Sequence, residues 1–260
     1  MPLVKFGNKV LKFGGKCISV KGAPFSQTDF NDIADIYASL QPGDKVAFLL
    51  RHGERGPGYG KEEPLTEEGI QECLAVGAKL RGGAADKNQI EAHSTDFVRT
   101  QQTAFYIAKS RGDDLWGTDD GDYVNVPTDH NIDSDLYYAD GVSGLTYEEI
   151  SAYAYEVLGE LYPEDLNKFK SIDLITNLIT DTIVTALRNS DKPLLLFTSH
   201  DSVLLPYTVH ASKKKLDCLK FWENHHWLYF CAGTAVVMRA NGSVETYPVK
   251  GLDMGWFRPW

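Results

Sequence analysis

Residues 45–57 read KVAFLLRHGERGP. From Val46 to Leu50 every position is apolar, so the segment offers no solvent face. A continuous apolar run of this length is typical of a strand in a sheet covered on both sides, as in parallel α/β folds. The composition then changes within one residue. Arg51, His52, Glu54 and Arg55 follow, with glycines at 53 and 56. In open α/β sheets, ligands bind beyond the carboxyl ends of the strands, which is where these residues fall.

Two further segments repeat this transition. Residues 193–199, PLLLFTS, form a second strongly apolar run that ends in His200-Asp201. Residues 90–94, IEAHS, form a shorter strand, with Arg99 in the first turn of the helix after it. Helical periodicity is expected over 29–40, 66–80 with Thr66 as N-cap, 97–110, 146–161 and 165–188. The helix at 146 opens with a capping box of Thr146 and Glu149. Residues 227–249 read as a hairpin about Asn241-Gly242. Strands alternating with helices predict a three-layer α/β/α sandwich with a mostly parallel central sheet.

Two regions stand outside this alternation. Residues 1–25 are basic and turn-rich, with Gly7-Asn8 and Gly14-Gly15 between short apolar runs, and read as an N-terminal β-hairpin extension. The remaining 26–260 is expected to be one α/β domain. Residues 112–145 are rich in aspartate and glycine with little periodicity, and a small cap insertion is expected at about 112–165. The aspartates do not follow a calcium-loop spacing.

Composition removes other classes. The chain has 260 residues, 43% of them hydrophobic, so disorder is excluded as its main state. It carries 26 basic and 36 acidic residues, a net charge of −10, which disfavours nucleic acid as a partner. No apolar run reaches the roughly 18–20 residues that cross a bilayer, so no membrane partner is expected. The N-terminus lacks the apolar core of a secretory signal, and a cytoplasmic location is the expectation. Cys17, Cys73, Cys218 and Cys231 form no CxxC and read as buried thiols. His225-His226, beside Trp222 and Trp227, reads as packing, and no metal or cofactor is expected.

Three arginines gathered in an acidic protein require an anion, because they repel one another otherwise. Arg51, Arg55 and Arg99 offer planar, permanently charged forks suited to phosphate oxygens. If the sheet is parallel, His52, Arg99 and His200 converge at one edge. A neutral imidazole can attack phosphorus while arginines stabilise the transition state, and a carboxylic acid can protonate the leaving oxygen. His93, also at a strand end, reads as a supporting residue.

RHGERGP resembles the RHGxRxP motif of the histidine phosphatase superfamily, in particular its histidine acid phosphatase branch. Ser199-His200-Asp201 resembles that branch's His-Asp motif. PLTEEG at 64–69 and RTQQTA at 99–104 resemble the helix starts between them. Together these cover roughly residues 44–250 in the family's order. The resemblance implies His52 as the nucleophile that becomes phosphohistidine. It implies Arg51, Arg55, Arg99 and His200 as phosphate ligands, and Asp201 as general acid and then base. Glu54 resembles the RHGE of the phosphoglycerate mutase-like branch, whose acid is a mid-chain glutamate in an L-x-E pattern. Residues 135–138, DLYY, hold no glutamate, which favours Asp201 and leaves Asp135 and Asp140 as outside candidates. Glu54 is open between a solvated loop residue and one that tunes His52. The expected activity is metal-independent hydrolysis of small phosphomonoesters, with inorganic phosphate as product. The alternatives are a phosphotransferase or mutase using the same intermediate, and a non-catalytic phospho-ligand-binding protein. A short cap implies an open cleft and broad specificity.

Overall fold

Strand Lys45–Arg51 occupies the interior position its apolar run requires. The computed structural model describes residues 11–13, 16–18, 25–81, 90–113, 119–156, 167–213, 215–216 and 226–257. In chain order the elements are β1 (Leu11–Phe13), β2 (Lys16–Ile18), β3 (Asn31–Asp32), α1 (Ile33–Ala38), β4 (Lys45–Arg51), α2 (Glu67–Lys79), β5 (Ile90–Ser94) and α3 (Val98–Arg111). Then come α4 (Tyr147–Ala154), α5 (Ile172–Asn189), β6 (Leu194–Ser199), α6 (Asp201–Ala211), β7 (Trp227–Leu228), β8 (Ala232–Met238), β9 (Val244–Lys250) and β10 (Trp256–Phe257).

Six strands form the central sheet in the order β3-β9-β8-β4-β6-β5. Only β8 runs against the others, so the sheet is mostly parallel, as expected. Alternate residues of β4 serve opposite faces. Val46, Phe48 and Leu50 pack with α1, α2 and α3, whereas Ala47 and Leu49 pack with α4, α5 and α6. That gives the three layers. Leu49 is fully buried, and truncating such a residue to alanine costs about 2–5 kcal/mol. The hairpin of β8 and β9 turns at Asn241-Gly242, where Gly242 has φ +84°. β1 and β2 pair antiparallel on either side of residues 14–15; the Gly7-Asn8 turn lies outside the described residues.

Helix limits depart from the periodicity in identifiable ways. α1 starts at Ile33 rather than 29, because Asn31–Asp32 pairs with β9 and the Asp32 side chain caps Ala34 N at 2.9 Å. α4 keeps the Thr146–Glu149 capping box but stops at Ala154, since Glu156 takes a left-handed φ of +57°; residues 157–161 lie outside the described set. α5 begins at Ile172, capped by Ser171, and Asp165 also lies outside the described set. The aspartate-rich stretch forms two short 3-10 turns, Asp120–Asn125 and His130–Ile132. Between them it runs along β5: Ser94 N donates to Pro127 O at 2.8 Å and Asp129 N to Ser94 O at 2.8 Å. Ser202 Oγ, at the start of α6, donates to Ser134 O at 2.7 Å. The stretch therefore borders the carboxyl end of the sheet. Among the described residues no helix is long and apolar enough to cross a membrane.

Candidate active site

Strand register assembles the site. Arg51 is paired with Ser199 in the parallel β4–β6 ladder, so the next residues, His52 and His200, emerge side by side. Ser94 is paired with Thr198, which places Thr95 beside them. The two imidazoles lie 5.6 Å apart, centroid to centroid, edge to face. Both are buried, at 2% and 3% exposure.

Backbone contacts immobilise the turn after β4. His52 N donates to Ser199 O at 3.0 Å, and Gly53 N donates to Thr103 Oγ1 at 3.0 Å. α2 presses directly on this turn. A Cβ on Gly53 would lie 2.8 Å from Gly69 O, and one on Gly69 would lie 2.0 Å from Glu54 O. Both positions need glycine for close approach.

The hydrogen bonds of His52 define its chemical form. Nδ1 lies 2.7 Å from Gly53 O. A carbonyl only accepts, so Nδ1 carries the proton and Nε2 keeps its lone pair. Burial, then the charge of Arg51, hold the imidazole well below its ordinary pKa. His52 is thus neutral, with an unprotonated Nε2, which is the form a nucleophile needs.

His200 is neutral too: burial, then Arg99, push it down to about 3. Nε2 lies 2.9 Å from Thr95 Oγ1, and Nδ1 lies 3.4 Å from Arg99 Nη2. Arginine only donates, so Nδ1 accepts and Nε2–H donates to Thr95. Thr95 in turn lies 2.8 Å from Thr100 Oγ1, whose hydroxyl donates to Phe97 O at 2.8 Å. In this state His200 offers the site an acceptor. Donating from Nδ1 to a phosphate oxygen requires a second proton or the other tautomer, and rotation of the Thr95 hydroxyl onto Nε2 accommodates the latter.

Each arginine is placed by a carbonyl and an aromatic ring. Arg51 donates to Leu228 O and stands 4.5 Å from the Phe230 ring centre. Arg55 donates to Gly56 O and Gly58 O and stacks on Tyr59 at 4.4 Å. Arg99 donates to Gly60 O at 2.8 Å and stacks on Phe97 at 4.4 Å. Burial, then the charge of Arg55, bring the Arg99 guanidinium down to about 10, so it remains charged at neutral pH.

Asp201 completes the cluster. Its Oδ2 accepts from Arg51 Nη2 at 2.8 Å and from Trp227 Nε1 at 2.9 Å, and Oδ1 accepts from Ser202 N at 3.0 Å. Burial would raise this carboxyl, but Arg51 and the indole N–H outweigh it and hold Asp201 well below the carboxylate range. In the ligand-free site Asp201 is therefore a base.

The Glu54 carboxylate is engaged by α2. Its Oε2 accepts from Thr66 Oγ1 at 3.0 Å, at the N-terminus of the helix. Its backbone N donates to Glu72 Oε2 at 2.9 Å, and burial raises the Glu72 carboxyl. Asp140 is fully exposed and 3.6 Å from Lys170. Asp135 is exposed in a hollow of about 260 Å³ with Tyr138 and Lys170. Neither joins the arginines. His93 is a support, stacked on Phe197 at 4.8 Å and bonded to Glu91 at 2.9 Å. His226 stacks on Trp256 at 3.7 Å; Trp222 and His225 lie outside the described residues. Cys73 and Cys231 are buried free thiols. Among the described residues there is no group of three or more His, Cys, Asp or Glu that could hold a metal.

Sequence reading missed Thr95, Trp227 and the rings of Tyr59, Phe97 and Phe230. Trp227 carries no local signal, because its partner Asp201 is 26 residues away. Thr95 does carry one, since it stands at the end of the IEAHS strand, but a neutral hydroxyl there is less conspicuous than the histidine and arginine on either side.

No protein-family model matches the chain, and no curated protein matches it. Among solved structures, it is similar to phosphoglycerate mutase from Bacillus anthracis str. Sterne, at 15% identity over 80% of this chain and 93% of that one, TM-score 0.47. It is similar to a mutant phosphoserine phosphatase from Entamoeba histolytica in complex with phosphoserine, at 16% identity over 78% and 94%, TM-score 0.49. It is also similar to a mycobacterial glucosyl-3-phosphoglycerate phosphatase, at 14% identity over 81% and 100%, TM-score 0.48.

Proposed function

We propose that the protein is a phosphomonoester hydrolase of the histidine acid phosphatase type, working through a phosphohistidine on His52. The observation that carries this reading is the form of His52: neutral, proton held on Nδ1 by Gly53 O, and lone pair left on Nε2, with Arg51 as the neighbouring cation.

Arg51, Arg55 and Arg99 bind the phosphoryl oxygens and neutralise the charge that develops on them. His52 Nε2 attacks phosphorus as the ester P–O bond breaks, and the leaving oxygen takes a proton from Asp201. Water then attacks the phosphohistidine, Asp201 carboxylate takes its proton, and the P–N bond breaks to release phosphate. Asp201 must be protonated for the first half although the empty site keeps it ionised. A monoanionic substrate supplies that proton. Its phosphate competes for Arg51, which weakens the hold on Asp201, and the proton passes to the carboxyl. The second ionisation of a phosphomonoester lies near pH 6, so turnover by this route favours acidic solution.

Hydrolysis is preferred to phosphotransfer because Glu54, the residue shared with the mutase-like motif, is engaged by Thr66 at the end of α2. The arginines supply the charge neutralisation, so turnover is expected to be insensitive to EDTA. The test is p-nitrophenyl phosphate turnover with His52→Ala as control. Wild type is expected to turn over and to trap acid-labile phosphate on His52. Persistent turnover in His52→Ala excludes this mechanism.

A further inference from the structure

Four aromatic side chains from four separate segments surround the arginine cluster. Tyr59 sits on the turn after β4, Phe97 before α3, Tyr147 in the first turn of α4, and Phe230 between β7 and β8. Phe97 is 4.5 Å from His200 and Phe230 is 6.1 Å from His52, ring centre to ring centre. Tyr147 packs on Trp227 at 4.6 Å, behind Asp201. The Tyr59 loop is held from below, since Arg55 bonds the carbonyls of Gly56 and Gly58 and Arg99 bonds that of Gly60. With Arg55 against one face of its ring, Tyr59 as a residue is still 77% exposed, which leaves the other face open.

The charges around this collar suit one phosphoryl group. Lys61 is the next cation in the same loop, and it is bonded to Asp96. The charges of Asp133 and Asp135 also reach Lys61, so that side of the rim is acidic. A second phosphate would meet aromatic carbon or carboxylates. Phe97 and Phe230, the rings nearest the two imidazoles, offer a polyol's hydroxyls no polar atom.

We propose that the site selects monophosphates whose ester oxygen is joined to a flat aromatic ring, directly or through one methylene, with Tyr59 as a specificity-determining residue. This rests on the phosphatase reading above. A flat ring gains stacking on aromatic faces and loses no hydroxyl solvation.

The test compares benzyl phosphate with propyl phosphate, two substrates whose leaving alcohols are of similar acidity, so that ring recognition is separated from leaving-group chemistry. Glucose 6-phosphate and fructose 1,6-bisphosphate provide the polyol and second-phosphate arms. Benzyl phosphate is expected to show kcat/KM about tenfold above propyl phosphate, the size of one ring–ring contact. Benzylphosphonate is expected to inhibit p-nitrophenyl phosphate turnover at about tenfold lower concentration than propylphosphonate. Tyr59→Ala should cut both ratios several-fold, and Tyr59→Phe should restore them. Equal handling of benzyl and propyl compounds, or preference for either sugar phosphate, overturns the inference and leaves the phosphatase reading intact. Absence of turnover with every substrate overturns that reading, and equal binding of the two phosphonates to the protein, read by calorimetry, then overturns this one separately.

Discussion

Replacing Trp227 by Phe removes one hydrogen bond and keeps a ring. The indole Nε1–H donates at 2.9 Å to Asp201 Oδ2, the oxygen that also accepts from Arg51. A hydrogen bond to a charged group contributes about 1.5–3 kcal/mol. One pKa unit corresponds to about 1.36 kcal/mol. Loss of the N–H should therefore raise the Asp201 pKa by roughly 1–2 units, because only the ionised form gains fully from it. On the proposed mechanism Asp201 acts as general acid only while it is protonated, so the phosphorylation rate falls as pH rises through its value in the substrate complex. In Trp227→Phe that falling limb should move to higher pH by the same roughly 1–2 units. The kcat/KM limb reports the free reactants and should stay near the substrate's second ionisation, at about pH 6. The assay is the single-turnover rate of phosphorylation of an alkyl phosphate against pH, at saturation. p-Nitrophenyl phosphate is unsuitable because its leaving group barely needs the proton. Trp227 is 1% exposed, so the smaller ring leaves a void, and a thermal melt should confirm that the variant is folded. A folded variant whose phosphorylation limb has not moved would refute the assignment of Asp201 as acid.

Arg99→Ala should lower kcat by about 10²-fold or more, as for loss of one transition-state donor, with a much smaller effect on the melting temperature. Thr95→Val should leave the His200 Nε2–H without its acceptor and slow turnover about tenfold, with Thr95→Ser restoring both rate and pH profile. Gly69→Ala should displace the Gly53-Glu54 turn, since its Cβ would meet Glu54 O at 2.0 Å; loss of activity with melting reduced by only a few degrees is the expected outcome. Asp44 accepts from Gln41 N at 3.1 Å, Arg239 Nη1 at 3.0 Å and Ala240 N at 2.9 Å. Burial works against its ionisation, but these donors prevail and its pKa is lowered. A depressed carboxyl stabilises the fold above its unfolded pKa of about 3.9 and loses that contribution as pH falls through the folded value. Asp44→Ala should then cost about 2–4 kcal/mol in urea melts at pH 7 and progressively less below about pH 4.

The layered fold was legible because strand and helix periods are local properties. Val46–Leu50 and Leu194–Phe197 have no polar face, which places both in the interior of the sheet. Helix ends were legible where a cap was written in adjacent residues, as at Thr66 and at Thr146 with Glu149. They were not legible where tertiary contact decided, as at Asn31–Asp32, which the β9 edge draws into the sheet before α1 begins.

The sequence alone determined which side chains stand at the carboxyl ends of β4, β5 and β6, because the length of each apolar run specifies where its strand stops. That was enough to nominate Arg51, His52, Arg55, Arg99, His200 and Asp201. Their chemical states belong to the tertiary structure. His52 is neutral because Gly53 O holds its Nδ1 proton in a buried pocket. Asp201 is ionised because Arg51 and Trp227 converge on one oxygen. Glu54 is engaged because Thr66, the N-cap of α2, donates to its carboxylate. A residue's type and position along the chain can be read in one dimension. Its protonation depends on burial and on donors within about 3 Å, and folding brings those donors from far along the chain.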